Sequence, residues 1–221
     1  MYTVKLKIIV LLLFTATFVF GQPFRPGSLT FENGDVKTGF LQIPTKGEQK
    51  TIKFKTDIND KKAESIKSDV LLSLVVESED ENRYTFHRTS VKRPLGRTSK
   101  KAWLLVLLDD YVTLCFTGGQ FQTDTKGNVV AKTEYWRGRD LPTFSYFLKK
   151  KGENLPFAFA QTSPSPTMFG LNNELRRNAK LHLSDYPELV ERIENKEFTH
   201  KDVVQIIQLY NDYMKNKKKI H

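Results

Sequence analysis

Cysteine occurs once in these 221 residues, at Cys115. A lone thiol forms no internal disulfide, so the fold must rest on its hydrophobic core. Cys115 stands in the apolar, strand-like run Val112-Thr113-Leu114-Cys115-Phe116. A buried, inert thiol fits that setting better than a nucleophile does. The same scarcity excludes a lipoprotein signal, which needs a cysteine at its cleavage point. Histidine is nearly as rare, with His87, His182, His200 and His221. No two of them share a metal-ligand spacing, so neither a metal site nor a cofactor is expected. No G-x-S-x-G, Walker or dinucleotide-binding glycine pattern occurs. Asp109 and Asp110 are adjacent, and neighbouring strand residues face opposite ways, so the pair reads as a turn. Glu77, Glu79, Asp80 and Glu81 lack the glycine and spacing of a calcium loop and read as a solvated hairpin tip. No catalytic residues are assigned, and the expectation is that the protein is not an enzyme.

Long apolar runs are also scarce. The one that stands out, Ile8 to Phe20, follows Lys5 and Lys7 and precedes Val19-Phe20-Gly21 at its end. A positive start, an apolar stretch and a cleavable end form the secretory pattern. Residues 1–21 are therefore expected to be a signal peptide, with Gln22 as the new N-terminus. The run falls short of the roughly 20 apolar residues that span a bilayer, so no integral membrane segment is expected after cleavage. The exported product would work in the periplasm, at the outer membrane or in the medium.

About 200 residues then remain, enough to bury a core without cross-links. The formal charge of +10 falls to +8 once Lys5 and Lys7 are removed (10 − 2), since residues 1–21 carry no acid. A basic exported protein meets anionic envelope components such as glycans or lipid headgroups. Export also removes nucleic acid as a partner. An envelope protein is the other partner the reading allows.

Residues 22–162 read as an antiparallel β domain. Asn33-Gly34 gives a hairpin signal between Ser28–Glu32 and Val36–Ile43, because both residues tolerate positive φ. Thr51-Ile52-Lys53-Phe54-Lys55 alternates strictly, with lysines on one face. Leu72–Val76 and Tyr84–Thr89 are further strands. Trp103–Leu108 and Val112–Phe116 are apolar throughout and read as a central hairpin covered on both faces. Thr133–Trp136 and Phe144–Leu148 follow. Turn signals at this frequency predict a small barrel or sandwich.

Residues 163–167, with Ser163-Pro164-Ser165-Pro166, form a connector. From 168 to 221 the period changes to 3.6. Leu171, Leu175, Ala179 and His182 share one helical face. A second helix starts near Asp185, with Pro187 in its first turn and Glu188 placed to complete a cap. For a third, Thr199 and Asp202 suit a cap, and Phe198 and Val203 a hydrophobic staple. Val203, Ile206, Ile207, Tyr210, Tyr213 and Met214 form its stripe, expected to face the core. The tail from Lys215 to His221 carries four lysines. The fold class is thus α+β: an antiparallel β barrel or sandwich followed by a C-terminal three-helix segment.

One segment concentrates charge. Asn82 to Leu108 holds no acid but contains Arg83, Arg88, Lys92, Arg93, Arg97, Lys100 and Lys101. Pro94 and Gly96 place its middle in a loop. Arginine binds phosphate, carboxylate or sulfate bidentately, so Arg88, Lys92, Arg93, Arg97, Lys100 and Lys101 are the candidate contacts to an anionic ligand. The alternative is a solvated loop in a basic protein.

Three stretches carry a resemblance. They are Gly27-Ser28-Leu29-Thr30-Phe31-Glu32-Asn33-Gly34-Asp35 with Gly39; Tyr146-Phe147-Leu148-Lys149-Lys150 with Gly152-Glu153; and Asp185-Tyr186-Pro187-Glu188-Leu189 through Ile193 and Lys201-Asp202 to Tyr210-Asn211. On these the chain resembles small exported proteins of Bacteroidetes-type bacteria that carry no assigned function. The resemblance implies an envelope location and a β-then-helix layout, and it brings no active-site residues. The resulting expectation is an exported, non-catalytic envelope module that binds an anionic ligand or a protein partner. The alternatives are an enzyme on an envelope polymer with a scattered active site, and a structural subunit that uses its C-terminal helices as an interface.

Overall fold

The first hairpin forms where Asn33-Gly34 stands, but with different turn chemistry. In the computed structural model only Gly34 of the pair takes positive φ, at 89°. The Gly34 amide donates to the Phe31 carbonyl, and the Phe31 amide to that of Asp35. This is a turn closed by one left-handed glycine. Asn33 serves through its side chain, whose oxygen accepts from the Asp35 amide. The structure describes residues 22–92, 98–132, 134–136, 139–141, 144–163 and 170–219. Residues 1–21, where a signal peptide is expected, and residues 164–167 of the expected connector lie outside them.

The strands run β1 (Arg25–Phe31), β2 (Val36–Leu41), β3 (Thr51–Lys55), β4 (Glu64–Lys67), β5 (Leu71–Glu77), β6 (Arg83–Thr89), β7 (Ala102–Asp109) and β8 (Val112–Thr117). Two short ribbons follow, β9 (Gln120–Thr123) with β10 (Val129–Lys132), and β11 (Glu134–Trp136) with β12 (Arg139–Leu141). Strands β13 (Phe144–Lys150) and β14 (Phe157–Thr162) complete the β region. Ten strands form one antiparallel sheet in the order β14-β13-β8-β7-β6-β5-β1-β2-β3-β4. The sheet does not close, so of barrel and sandwich it corresponds to the sandwich.

Its inner face carries two core clusters. One joins Leu29, Leu41, Ile52, Phe54 and Ile66 from β1–β4 to Leu74, Phe86, Trp103, Leu105 and Phe116 from β5–β8. The β1–β4 half must fold over the other for these to meet, and the β2–β3 loop fixes the overlap. The Trp103 amide donates to the Gly47 carbonyl at 2.8 Å, and the Trp103 indole N–H to Ser68 Oγ at 3.1 Å. Phe121 fills the gap edge-on to Phe86 and Phe116.

The second cluster joins Val112, Leu114, Leu148, Phe157 and Phe159 to the helices α1 (Leu171–His182), α2 (Pro187–Glu194) and α3 (Val203–Lys219). The stripe Val203, Ile206, Ile207, Tyr210 and Met214 is buried here, facing the core as its period implies. That leaves it no free surface to offer a partner. Two cap details differ from expectation. Tyr186, not Asp185, precedes α2, and it makes no side-chain cap bond. Asp185 instead accepts the Tyr210 hydroxyl at 2.8 and 2.7 Å. Helix α3 begins at Val203, and Thr199 and Asp202 bond each other in the turn before it. At the start of β8, an interior strand, Asn211 accepts the Val112 amide through Oδ1 at 2.9 Å and donates Nδ2 to the Val112 carbonyl.

Candidate binding cleft beside the basic crossing segment

Alternation along β6, β7, β8 and β13 sends His87, Leu104, Cys115 and Phe147 to the outer face, away from both main clusters. Bare apolar side chains there would face water. The chain after β6 covers them. Val91 is buried against Leu104, Cys115 and Phe147. The Lys92 amide donates to the Pro156 carbonyl at 2.7 Å, and the Ala158 amide to that of Lys92 at 2.9 Å. A parallel bridge, Lys92 to Phe157, results. The segment thus joins the end of β6 to the start of β14 and clusters with one residue each from β7, β8 and β13. The Ser99 amide bonds back to the Val91 carbonyl at 3.0 Å.

The basic residues named from the sequence therefore part company. Arg88 is 7% exposed and points to the inner side. Its guanidinium donates to the Gly47 carbonyl and to Asp69, both at 3.1 Å, and lies over the Trp103 ring. Lys101 is ion-paired with Glu32. Lys92 and Lys100 are exposed, and no carboxylate lies within ion-pair distance of either among the described residues. Arg93 and Arg97 lie outside the described residues.

Beside the crossing segment a cleft of about 270 Å³ opens on the outer face. Ser73, His87, Arg88, Thr89, Cys115, Lys149 and Asn154 line it, with Leu72 and Pro156 at its apolar margins. Ser73 and His87 are direct cross-strand partners. Lys149 reaches the same face because it lies two residues from Phe147. It is half-buried, and no carboxylate stands within 4.0 Å of it among the described residues.

The environment keeps the two reactive groups quiet. Burial lowers the His87 pKa below its ordinary value; Asp109 opposes this and Lys149 adds to it. Burial pushes the Cys115 thiol up to about 12, helped by Asp109. At neutral pH the imidazole is uncharged and the thiol protonated, so neither thiolate attack nor imidazolium acid catalysis is prepared. No cluster of three or more His, Cys, Asp or Glu is placed to hold a metal among the described residues. The cleft thus offers one ammonium, hydroxyls, an amide and a neutral imidazole, a set suited to accepting a small anion through hydrogen bonds.

Of the basic residues named from the sequence, Arg88 lines this cleft, although its guanidinium is turned to Gly47 and Asp69; the rest of the lining was not foreseen. Lys149 and Ser73 look like ordinary outward strand residues, and Asn154 belongs to a turn. Only the strand order brings them together. Comparison with models of protein families, with curated proteins and with solved structures finds no match.

Proposed function

We propose that this chain is an exported, non-catalytic binding module of the cell envelope, and that it takes a small anionic ligand in the outer-face cleft. Lys149 carries the reading. Lys149 is half-buried and has no carboxylate within 4.0 Å among the described residues, which leaves its ammonium open to pair with an anion. Lys92, at the margin of the crossing segment, adds long-range attraction. Quiet His87 and Cys115 support binding over turnover. Export rests on the leader at residues 1–21 and on the resemblance to small exported proteins.

The test is calorimetric titration of the chain from Gln22 onward with carboxylated, sulfated and phosphorylated sugars. At least one class is expected to bind, and Lys149→Gln to weaken it by about 1.5–3 kcal/mol, the worth of a charge-assisted hydrogen bond. Affinity that is unchanged in Lys149→Gln would remove the cleft from consideration.

A further inference from the structure

A second cationic surface lies at the other end of the sheet from the helices, and it goes beyond the cleft. Strand β4 is an edge of the sheet, so the β3–β4 hairpin has a neighbour on one side only. Ile52, Phe54 and Ile66 point into the core. Period two then sends Lys53 and Lys67 to the opposite face, where both are exposed. Thr51 pairs with Lys67 and Lys53 with Ser65, so the two lysines stand on adjoining strands within one pairing step. The connecting loop adds exposed Lys61 and Lys62. None of these four has a carboxylate within 4.0 Å among the described residues, whereas nearby Glu64 is held by Lys37.

The loop tip carries a different signal. Ile58 is 43% exposed, between Asp57 and Asn59, with Lys55 at the end of β3 three residues before it and Lys61 three residues after it. Its position is held, since Lys55 Nζ donates to the Ile58 carbonyl at 3.1 Å while lying over the Phe24 ring. Asp57 and Asp60, the acids of the loop, accept from the turn's own amides. A presented apolar tip on a hairpin that carries Lys53, Lys61, Lys62 and Lys67 against the loop's Asp57 and Asp60 matches the boundary of an anionic bilayer, where the apolar group enters among acyl chains and the ammonium groups stay with the phosphates. A soluble polyanion would use the lysines but has no use for Ile58.

We infer that the β3–β4 hairpin docks this protein on an anionic lipid surface, with Ile58 entering the interface and Lys53, Lys61, Lys62 and Lys67 against the headgroups. The test uses the chain from Gln22 onward, without the apolar leader that would itself enter a bilayer. Flotation is measured with vesicles of phosphatidylcholine alone and with about a third phosphatidylglycerol. Binding at least about tenfold tighter to the anionic vesicles is expected, falling with salt. The quadruple glutamine variant of the four lysines should lose most of that preference. Ile58→Ser should weaken binding several-fold with no change in charge. All five side chains are exposed, and dichroism confirms that the variants fold. Lys149→Gln should float as wild type does, so failure of the cleft and failure of the hairpin are read separately. Equal binding to both vesicles, or an unaffected quadruple variant, would overturn the inference. So would an inert Ile58→Ser whose lysine-dependent binding is displaced by dextran sulfate, which marks a polyanion surface instead.

Discussion

His87 and His182 both sit where burial disfavours the charged imidazolium. His182 stacks on Phe157 at 3.6 Å between ring centroids, and burial followed by Lys150 lowers its pKa against the opposing pull of Glu153. His87 is lowered by burial as well. The ordinary value for each is 6.5. In the unfolded chain both take up protons as pH falls through that value, while the folded chain resists. The unfolded state then holds more protons, so stability rises with pH in this window and is lost on acidification. The urea midpoint is expected to fall between about pH 7 and pH 5, and His87→Gln/His182→Gln to flatten that fall. A midpoint with the same slope in the double variant would place the acid sensitivity elsewhere. Tyr210 shows the opposite case: burial, then its hydrogen bond to Asp185, raises its pKa, and the phenol remains a donor.

At the scale of elements, one side chain of α3 adds direct hydrogen bonds to the sheet backbone beside the apolar packing of its stripe. Asn211 is 1% exposed and occupies both backbone groups of Val112. Asn211→Ala strands the buried Val112 amide, while the carbonyl keeps the Asp110 amide at 3.4 Å, at a cost of about 1–3 kcal/mol. Urea denaturation should show this as a lower midpoint at unchanged slope. A cost near zero would mean that water replaces the amide. The crossing segment, by contrast, is held by few residues. Its polar sequence reads as a free loop, yet Val91 and two backbone hydrogen bonds tie it to the outer face. An apolar residue in a basic run was the only sign, and one valine does not establish a contact.

For the whole molecule, the two main clusters are joined through Tyr146, which packs against both. Helices and sheet therefore share one continuous interior, although composition suggests two parts divided by a Ser/Pro connector. A shared interior predicts one cooperative transition. Far-UV dichroism, which weighs the helices, should give the same thermal midpoint as tryptophan fluorescence, to which Trp103 contributes from the sheet core. Two separated midpoints would show that the halves unfold independently. The same arrangement sets the cleft near the middle of the sheet and the lysine-bearing hairpin at its free edge. Ligand and surface contact then need not compete.

Periodicity by itself determined the strands, the three helices and the buried stripe of α3, because burial against a neighbour imposes period two or 3.6 whatever that neighbour is. It also placed Lys53 and Lys55 opposite Ile52 and Phe54. Some strands escaped it: β4, β9 and β10 have four residues each and β12 three, too few for a pattern to repeat, and the six-residue β14 was not named either. The pairing order was beyond its reach, since hydrogen-bond partners far apart in the chain leave no local trace. Tertiary structure alone turned Arg88 inward to Asp69 and Gly47, brought Val91 against Leu104, Cys115 and Phe147, and set Lys149 beside His87. The candidate site depends on which strands become neighbours, and long-range burial settles that rather than local preference.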